Sequence, residues 1–368
     1  MNLLTPALVF PISECLVPII RHIDCGHIPY SINAVLDWRG HSLIGKDIAT
    51  IHNHPPIGVE VLDQSNYEKI TWRTLIVDCQ NAHNDYAALD KNSLYCRTLE
   101  DGKQIIFMGD AADSDGNYIS SLAKTYPNQV QHITFEELQY APLIQSNKQH
   151  SFLSVPVILV GGAISCQDSL EVILSLKERF CVDGYRVSCL IRSDIGLILG
   201  LNSFSHIFNG NTLSESDRIL QLNQLAAKII NAERPDLLLV EAPDAVLKFN
   251  SIRPNGYGVR TYMMSQALEP DGFICCMPCE MVSKNSLDAF NKSLLLKYGF
   301  SASAIHATNE VVDGIALEQD QTVSCVHIPV DEVSRILSSM PDDFPVPVVN
   351  VIVQGIEEIY QSICCELK

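Results

Sequence analysis

The strongest candidate for chemistry is a glycine-ended apolar run near the middle of the chain. The run Val-Ile-Leu-Val ends in Gly161 and Gly162, and a polar turn containing Ser165 follows. Apolar residues then recur at helical spacing after Ser169. In nucleotide-binding sheets a turn of this kind holds phosphate, because backbone N–H groups and the positive end of the helix dipole converge there. These four residues are therefore candidates for binding a cofactor.

One position of that turn departs from a working phosphate loop. A P-loop reads GxxxxGK[ST]; counting from Gly162, the hydroxyl position is Ser169 and the lysine position is Asp168. A carboxylate at this point would repel a triphosphate, so we expect Asp168 to cap the N-terminus of the following helix instead. A structural strand-to-helix turn is the favoured interpretation and a ligand site is the alternative. The sequence names no cofactor, and ATP or GTP with Mg²⁺ is the class that the turn leaves open.

One acidic residue ends the buried strand predicted at 236–241, and another follows it. In nucleotide-binding sheets an acid at the end of such a strand handles Mg²⁺, and Glu241 or Asp244 could take that role. The alternative is that these acids are ordinary polar residues at the end of the strand and have no role in binding Mg²⁺. The missing lysine favours this second interpretation.

A loop in the first half of the chain carries a second candidate anion site, formed by Gly45, Lys46 and Asp47. A lysine beside a glycine turn can hold an anion. The loop also contains His52 and His54, two histidines at i and i+2 that could face one way in an extended segment. Two ligands do not make a zinc site, so a polar surface loop is the favoured interpretation.

Cysteines are numerous, and one group has the spacing of redox and metal sites. Cys275, Cys276 and Cys279 form the sequence CCMPC, which contains a C-x-x-C pair. This pair lies at the end of a predicted buried strand rather than at a helix start, and the sequence has no second pair of this kind. We therefore expect structural cysteines and no bound metal. GxSxG and HExxH are also absent, which leaves the common hydrolase classes without support.

The elements that would position these residues alternate between strands and helices. After the central glycines, a helix ends at Asp183 and Gly184, and a second buried strand is predicted at 185–191. A strand, a helix and a strand in this order form a crossover unit of a parallel sheet. The first half of the chain alternates in the same way, but no GxGxxG follows its first strand, so a standard dinucleotide site is not expected.

These patterns predict an α/β protein of two domains. We expect a Rossmann-like sheet in residues 1–145 and a P-loop-like parallel sheet with flanking helices in residues 153–345. One amphipathic helix is expected in residues 346–368. The joint between the domains is placed at 140–155, where the sequence turns polar and loses its periodicity.

Charge and composition exclude several classes of function. The 368 residues carry a formal net charge of −18, which argues against a nucleic-acid partner because lysine and arginine drive such binding. No apolar run reaches the roughly 18 to 20 residues that span a bilayer. The apolar N-terminus lacks the basic region and cleavage site of a signal peptide. Thirteen cysteines, an odd number scattered through apolar runs, indicate a reducing compartment, and we expect a cytoplasmic protein.

Seven segments of the chain carry a resemblance to known proteins: FPISECLVPIIRHI, GHSLIGKD, VPVILVGG, DGYRVSCL, SESDRI, ERPDLLLVEAP and GYGVRTYMMSQALEPDGF. With these segments the chain resembles the clostridial-type maturation system proteins of ribosomally synthesised peptide natural products. The resemblance covers nearly the whole chain. It implies a Rossmann-type domain, then a P-loop-like domain that often lacks the Walker lysine, in a protein encoded beside radical enzymes and transporters. It implies no set of catalytic residues.

Two functions from different classes follow. The first is an accessory or scaffold protein of peptide maturation, non-catalytic or weakly nucleotide-binding, whose acidic surface engages a basic precursor peptide or a peptide-modifying enzyme. The second is a nucleotide-dependent ligase or transferase that uses the turn at 161–169. The absent lysine favours the first.

Overall fold

Short, largely apolar strands build two parallel sheets in the computed structural model of the chain. The described residues are 4–25, 29–37, 42–63, 66–82, 88–111, 113–134, 149–164, 168–209, 213–250, 255–320, 323–340 and 344–367. The chain divides into two units. The first unit contains Met1–Ile51, Pro55–Pro142 and Ser193–His206, and the second unit contains His52–His54, Leu143–Arg192 and Ile207–Lys368.

The first half of the chain forms a six-stranded sheet. Its elements are β1 (Thr5–Phe10), α1 (Leu16–Arg21), β2 (Tyr30–Asp37), β3 (Glu60–Asp63), β4 (Thr74–Asp78), α2 (Ala88–Glu100), β5 (Gln104–Met108), α3 (Asp113–Thr125) and β6 (Val130–Ile133). The strand order is β3-β2-β1-β4-β5-β6, and every neighbouring pair is parallel. This is the strand order of a Rossmann sheet, so the Rossmann-like expectation is confirmed.

The second half of the chain continues the alternation of strands and helices. Its elements are β7 (Val157–Gly162), α4 (Ser169–Val182), β8 (Val187–Ile191), β9 (Asn202–Ser203), α5 (Ser205–Asn209), α6 (Glu215–Glu233), β10 (Leu237–Glu241), α7 (Val259–Leu268), β11 (Gly272–Pro278), α8 (Lys284–Tyr298), β12 (Ala304–Thr308), β13 (Glu310–Val312), β14 (Cys325–His327), α9 (Val330–Ser338), β15 (Val348–Val349), α10 (Val351–Gln354) and α11 (Glu357–Glu366). The strands β15-β12-β11-β7-β10-β8 lie in this order with parallel neighbours. β13 and β14 form a separate antiparallel pair. The expected parallel sheet with flanking helices is confirmed.

The central strands of this second sheet carry continuous apolar runs because both of their faces are covered. Every residue of β7, β10, β11 and β12 is buried, as in parallel sheets that lie between helices. α4 packs against β7, β8 and β10. Parallel strands end at the same edge of a sheet, so the residues that follow β7, β8, β10 and β12 are brought to one edge.

In the second half of the chain, α6 begins with the cap that its sequence predicts, whereas the prediction of one C-terminal helix is wrong. At the start of α6 the Ser214 hydroxyl accepts a hydrogen bond from the Asp217 backbone N–H at 3.2 Å, as the capping-box spacing predicts. The single C-terminal helix expected in residues 346–368 is wrong. The strand β15 comes first, and Gly355 separates the two helices α10 and α11 that follow. Gly355 has φ +81° and ψ −178°, a conformation that favours glycine and that no helix contains.

The helices are also short. The longest described helix, α6, has 19 residues and a mixed polar and apolar sequence. Across the ranges given above, no helix combines the length and the apolar character needed to cross a membrane.

The two units differ from the predicted domain ranges in three places, one of which is that His52–His54 belong to the second unit. Residues Ser193–His206 belong to the first unit although they follow β8, and the C-terminal tail belongs to the second unit. Residues 135–148 contain part of the predicted joint and lie outside the described residues. The position of the joint therefore stays a prediction.

Gly161 is required by the close approach of β7 to the segment that follows β10. A Cβ atom on Gly161 would lie 2.4 Å from the Cβ of Ala242, which is shorter than any real carbon contact. We expect the substitution Gly161→Ala to lower the free energy of unfolding by about 1–3 kcal/mol, the usual cost of overpacking a core. Urea denaturation measures the change.

The matched control is Gly314→Ala, because no atom lies within 4 Å of the position that its Cβ would take. Its free energy of unfolding should change by less than about 0.5 kcal/mol. Equal losses in the two variants would show that close packing is not the reason for the glycine at 161.

Candidate functional site

Two of the candidate residues meet at the carboxyl edge of the second sheet. Ser169 is the first residue of α4, and Glu241 is the last residue of β10. The Ser169 hydroxyl donates a hydrogen bond to Glu241 Oε1 at 2.8 Å, and both side chains are buried. In P-loop proteins these two positions hold Mg²⁺. The structure therefore joins the two residues that a magnesium site of this kind would use.

An arginine that the sequence patterns did not single out shares the same carboxylate. Arg192 directly follows β8, and its Nε lies 3.0 Å from Glu241 Oε1. The backbone N–H of Arg192 donates to Glu241 Oε2, also at 3.0 Å. Because Glu241 is fully buried, this ion pair offsets a charge that would otherwise be costly to remove from water. Its place directly after a buried strand was the one signal in the sequence that could have found Arg192.

Asp168 lies at the N-cap position of α4 but does not cap the helix, so that expectation is corrected. Its side chain makes no capping hydrogen bond, and its backbone is helical, with φ −73° and ψ −7°. A capping residue needs an extended backbone to turn its oxygen towards the first helical N–H groups. The carboxylate of Asp168 instead lies 3.2 Å from His306 Nε2 and 3.8 Å from His54 Nε2.

The tautomer of His306 follows from its second contact. His306 Nδ1 accepts a hydrogen bond from the Val351 backbone N–H at 3.1 Å, so the ring proton is on Nε2 and is donated to Asp168. Burial by itself would raise the pKa of the Asp168 carboxyl. The hydrogen bond that His306 donates, together with the electrostatic effect of the neighbouring imidazole rings, outweighs burial and holds that pKa well below its usual range.

The two histidines of the first-half loop lie in the second unit beside residues that are distant in sequence. His52 Nδ1 is 3.4 Å from His327 Nε2, and His327 Nε2 is 3.8 Å from Glu310 Oε1. The ring centroids of His52 and His54 are 5.4 Å apart. We call His52, His54, His327 and Glu310 the imidazole cluster. No local pattern could reveal it, since 275 positions separate His52 from His327.

The glycine-lysine-aspartate triplet is organised by its own loop. The Asp47 carboxylate accepts hydrogen bonds from the backbone N–H groups of Ala49 at 2.9 Å and Gly58 at 2.7 Å. Gly45 has φ +82°, which suits glycine, and the side chain of Lys46 is exposed. The contacts of Asp47 are those of a residue that holds a loop in shape.

Asp244 has a different role from Glu241. Its carboxylate accepts hydrogen bonds from the backbone N–H groups of Arg260 at 3.3 Å and Thr261 at 3.0 Å, at the start of α7. A carboxylate there satisfies N–H groups that have no partner inside the helix. Asp244 therefore stabilises α7.

The remaining candidate residues of the central turn are Gly161, Gly162 and Ser165. Gly161 and Gly162 are the last two residues of β7, and the Gly162 carbonyl accepts a hydrogen bond from the Val246 backbone N–H at 3.0 Å. Ser165 lies outside the described residues.

The cysteines of CCMPC are buried thiols. Cys275 and Cys276 lie in β11, and Cys279 directly follows it. Burial raises the pKa of Cys275 and of Cys279, which disfavours the thiolate that redox chemistry and metal binding require. The cysteines within the described ranges are all free of disulfides.

Solved structures of other proteins are similar to this one. The structure is similar to that of a DUF1611 family protein from Anabaena variabilis, with a TM-score of 0.62, 12% identity, and coverage of 98% of this chain and 99% of that chain. At this identity the likeness shows a shared fold. A GTPase from Pyrococcus abyssi, solved in its apo form, aligns with 57% of this chain and 98% of its own at 18% identity and a TM-score of 0.30. No protein-family model and no curated protein matches the sequence.

The ionised state of Asp168 should stabilise the fold. We expect Asp168→Asn to lower the free energy of unfolding by about 1–3 kcal/mol near pH 7, because the buried N–H of His306 loses a charged acceptor. A carboxyl whose pKa is lower in the folded protein stabilises it above the unfolded pKa, here 3.8, and loses that effect as the pH falls through the folded pKa. The difference between wild type and variant should therefore be constant from pH 5 to pH 8 and shrink below about pH 4.

Urea denaturation as a function of pH measures this difference. The control is Asp101→Asn, which removes an exposed carboxylate at 3.3 Å from Lys103 and should change stability by less than about 0.5 kcal/mol. A difference for Asp168→Asn that stayed constant down to pH 3 would contradict the assignment.

Proposed function

We propose that the protein is a non-catalytic accessory protein of peptide maturation, built on the frame of a nucleotide-binding sheet. The observation that carries the non-catalytic part is the occupied carboxylate of Glu241. Ser169 and Arg192 both contact it inside the protein. The pathway rests on the sequence resemblance to peptide-maturation proteins.

Magnesium chemistry would need these groups to face a metal and a phosphate instead. Mg²⁺ is bound through one or two carboxylates together with waters and phosphate oxygens. Freeing Glu241 for this purpose would break a buried ion pair, and breaking such a pair costs about 3–5 kcal/mol. The position of the Walker lysine supplies no positive charge to offset this cost. Asp168 occupies that position, and its carboxylate accepts a hydrogen bond from His306.

The charge of the chain favours a basic partner. A formal net charge of −18 attracts cationic ligands and repels acidic ones. A basic precursor peptide, or a peptide-modifying enzyme with a basic face, is the partner class that this charge suits. In this role the second unit supplies a rigid frame and the acidic surface supplies recognition.

A nucleotide-dependent ligase or transferase is the second candidate. The observation in its favour is that Ser169 and Glu241 still stand 2.8 Å apart, at the two positions where P-loop proteins hold Mg²⁺. This candidate requires nucleotide binding, which separates it from the first.

Thermal unfolding with nucleotide decides between the two. We expect millimolar ATP or GTP with Mg²⁺ to leave the melting temperature unchanged, because the metal-binding groups are engaged. A ligand at 100 times its dissociation constant would stabilise the protein by about 2.7 kcal/mol, which corresponds to roughly 5 to 10 °C for a domain of this size. A rise of that size that disappears in Ser169→Ala would favour the ligase or transferase.

A titration with peptide tests the accessory role. A synthetic peptide rich in lysine and arginine should bind the full chain with a micromolar dissociation constant, and the binding should weaken several-fold as salt screens the charges. The control peptide has the same sequence with its lysines and arginines replaced by glutamate, and it should not bind. Equal binding of the two peptides, or no binding of either, would contradict the role.

A further inference from the structure

The imidazole cluster takes no part in the proposed function. Its members come from the first-half loop, from β13 and from β14, and all of them belong to the second unit. Imidazole nitrogens together with a carboxylate are the ligands that first-row transition metals prefer.

The donor atoms already have spacings that suit a metal. Two ligand nitrogens bound to zinc at about 2.0–2.1 Å in tetrahedral geometry lie about 3.3–3.4 Å from each other. His52 Nδ1 and His327 Nε2 are 3.4 Å apart, and Glu310 Oε1 is 3.8 Å from the same nitrogen of His327. As they stand, the described residues contain no group of three such side chains that could hold a metal, so binding would require the Glu310 side chain to approach the two histidines.

The backbones that carry these donors are tied to one another. Glu310 and His327 are directly opposite in the antiparallel pair of β13 and β14. The Asn309 side-chain amide donates to the His52 carbonyl at 2.7 Å and to the Ile328 carbonyl at 2.8 Å. The Asn53 amide donates to the His327 carbonyl at 3.2 Å. The protein therefore fixes the backbone segments that carry the donors before any metal arrives, which favours a binding site.

Burial and charge also suit a cation. His52 is 2% exposed and Glu310 is 3% exposed, whereas the side chain of His327 is 17% exposed. A divalent cation would offset the cost of burying the Glu310 carboxylate. The partial exposure of His327 leaves a way in for the metal and for a water molecule at the remaining position.

We propose that His52, His327 and Glu310 bind one first-row transition-metal dication in the second unit. His52 contributes Nδ1, His327 contributes Nε2 and Glu310 contributes Oε1. Three protein ligands leave a fourth position for water, as in zinc sites that are not purely structural. This site is distinct from the Ser169 and Glu241 pair, and the proposal does not depend on the accessory role.

Zinc is the probe for the test. The full chain is prepared without a polyhistidine tag, stripped with a chelator and titrated with Zn²⁺ against a chromophoric competitor. We expect one zinc per chain with a dissociation constant in the micromolar range or below. His327→Ala and Glu310→Gln should each weaken binding by on the order of 100-fold. The control is His150→Ala, which removes an exposed histidine outside the cluster and should leave binding unchanged.

Cobalt gives a readout that does not depend on affinity alone. Co²⁺ in a four-coordinate site of nitrogen and oxygen ligands shows strong visible absorption bands, which should appear with wild type and be lost with His52→Gln. Circular dichroism of each stripped variant shows whether it is folded, and His327→Gln replaces His327→Ala if the alanine variant is not. Zinc binding below 0.1 per chain (about one chain in ten), or undiminished binding by the folded His327 and Glu310 variants, would overturn the proposal.

Discussion

The carboxyl edge of the second sheet depends on one buried charge, the carboxylate of Glu241. A carboxylate removed from water costs several kcal/mol unless donors surround it. Here the donors come from two other elements, Ser169 at the start of α4 and Arg192 at the end of β8. A single side chain thereby fixes a strand, a helix and a neighbouring strand against each other. This contact also leaves the polar groups of Ser169, Arg192 and Glu241 bound to one another inside the protein.

A second acid repeats this arrangement a short distance along the same edge. Asp168 accepts a hydrogen bond from His306, which in turn accepts one from the backbone N–H of Val351, so α4, β12 and α10 are connected through one polar chain. In both cases an acidic residue at the end of an element faces inwards and is satisfied by the protein. The fold is typical of phosphate-binding sheets, but the polar groups at this edge bind one another. Fold alone therefore does not determine function here.

The sequence predicted what depends on local pattern. Buried apolar runs gave both parallel sheets, and the strands expected at 185–191 and 236–241 are β8 and β10, which end at the expected residues. The role of Asp168 was not predictable, because it depends on a helical backbone and on His306, which is 138 positions away. The break at Gly355 was missed because the flanking residues keep a helical pattern. Ser169 and Glu241 were separate candidates from fold analogy. Their pairing, the position of Arg192 and the imidazole cluster depend on contacts that no local pattern encodes.

The path of the chain between the units bears on how the protein is made. Residues Ser193–His206 belong to the first unit, and His52–His54 belong to the second. During synthesis the first unit is therefore incomplete until residue 206 has left the ribosome, long after its own strands have emerged. The loop with His52 must likewise wait for β13 and β14 before its contacts can form. Synthesis of the second unit therefore begins before the first unit is complete, and it continues after all residues of the first unit have emerged.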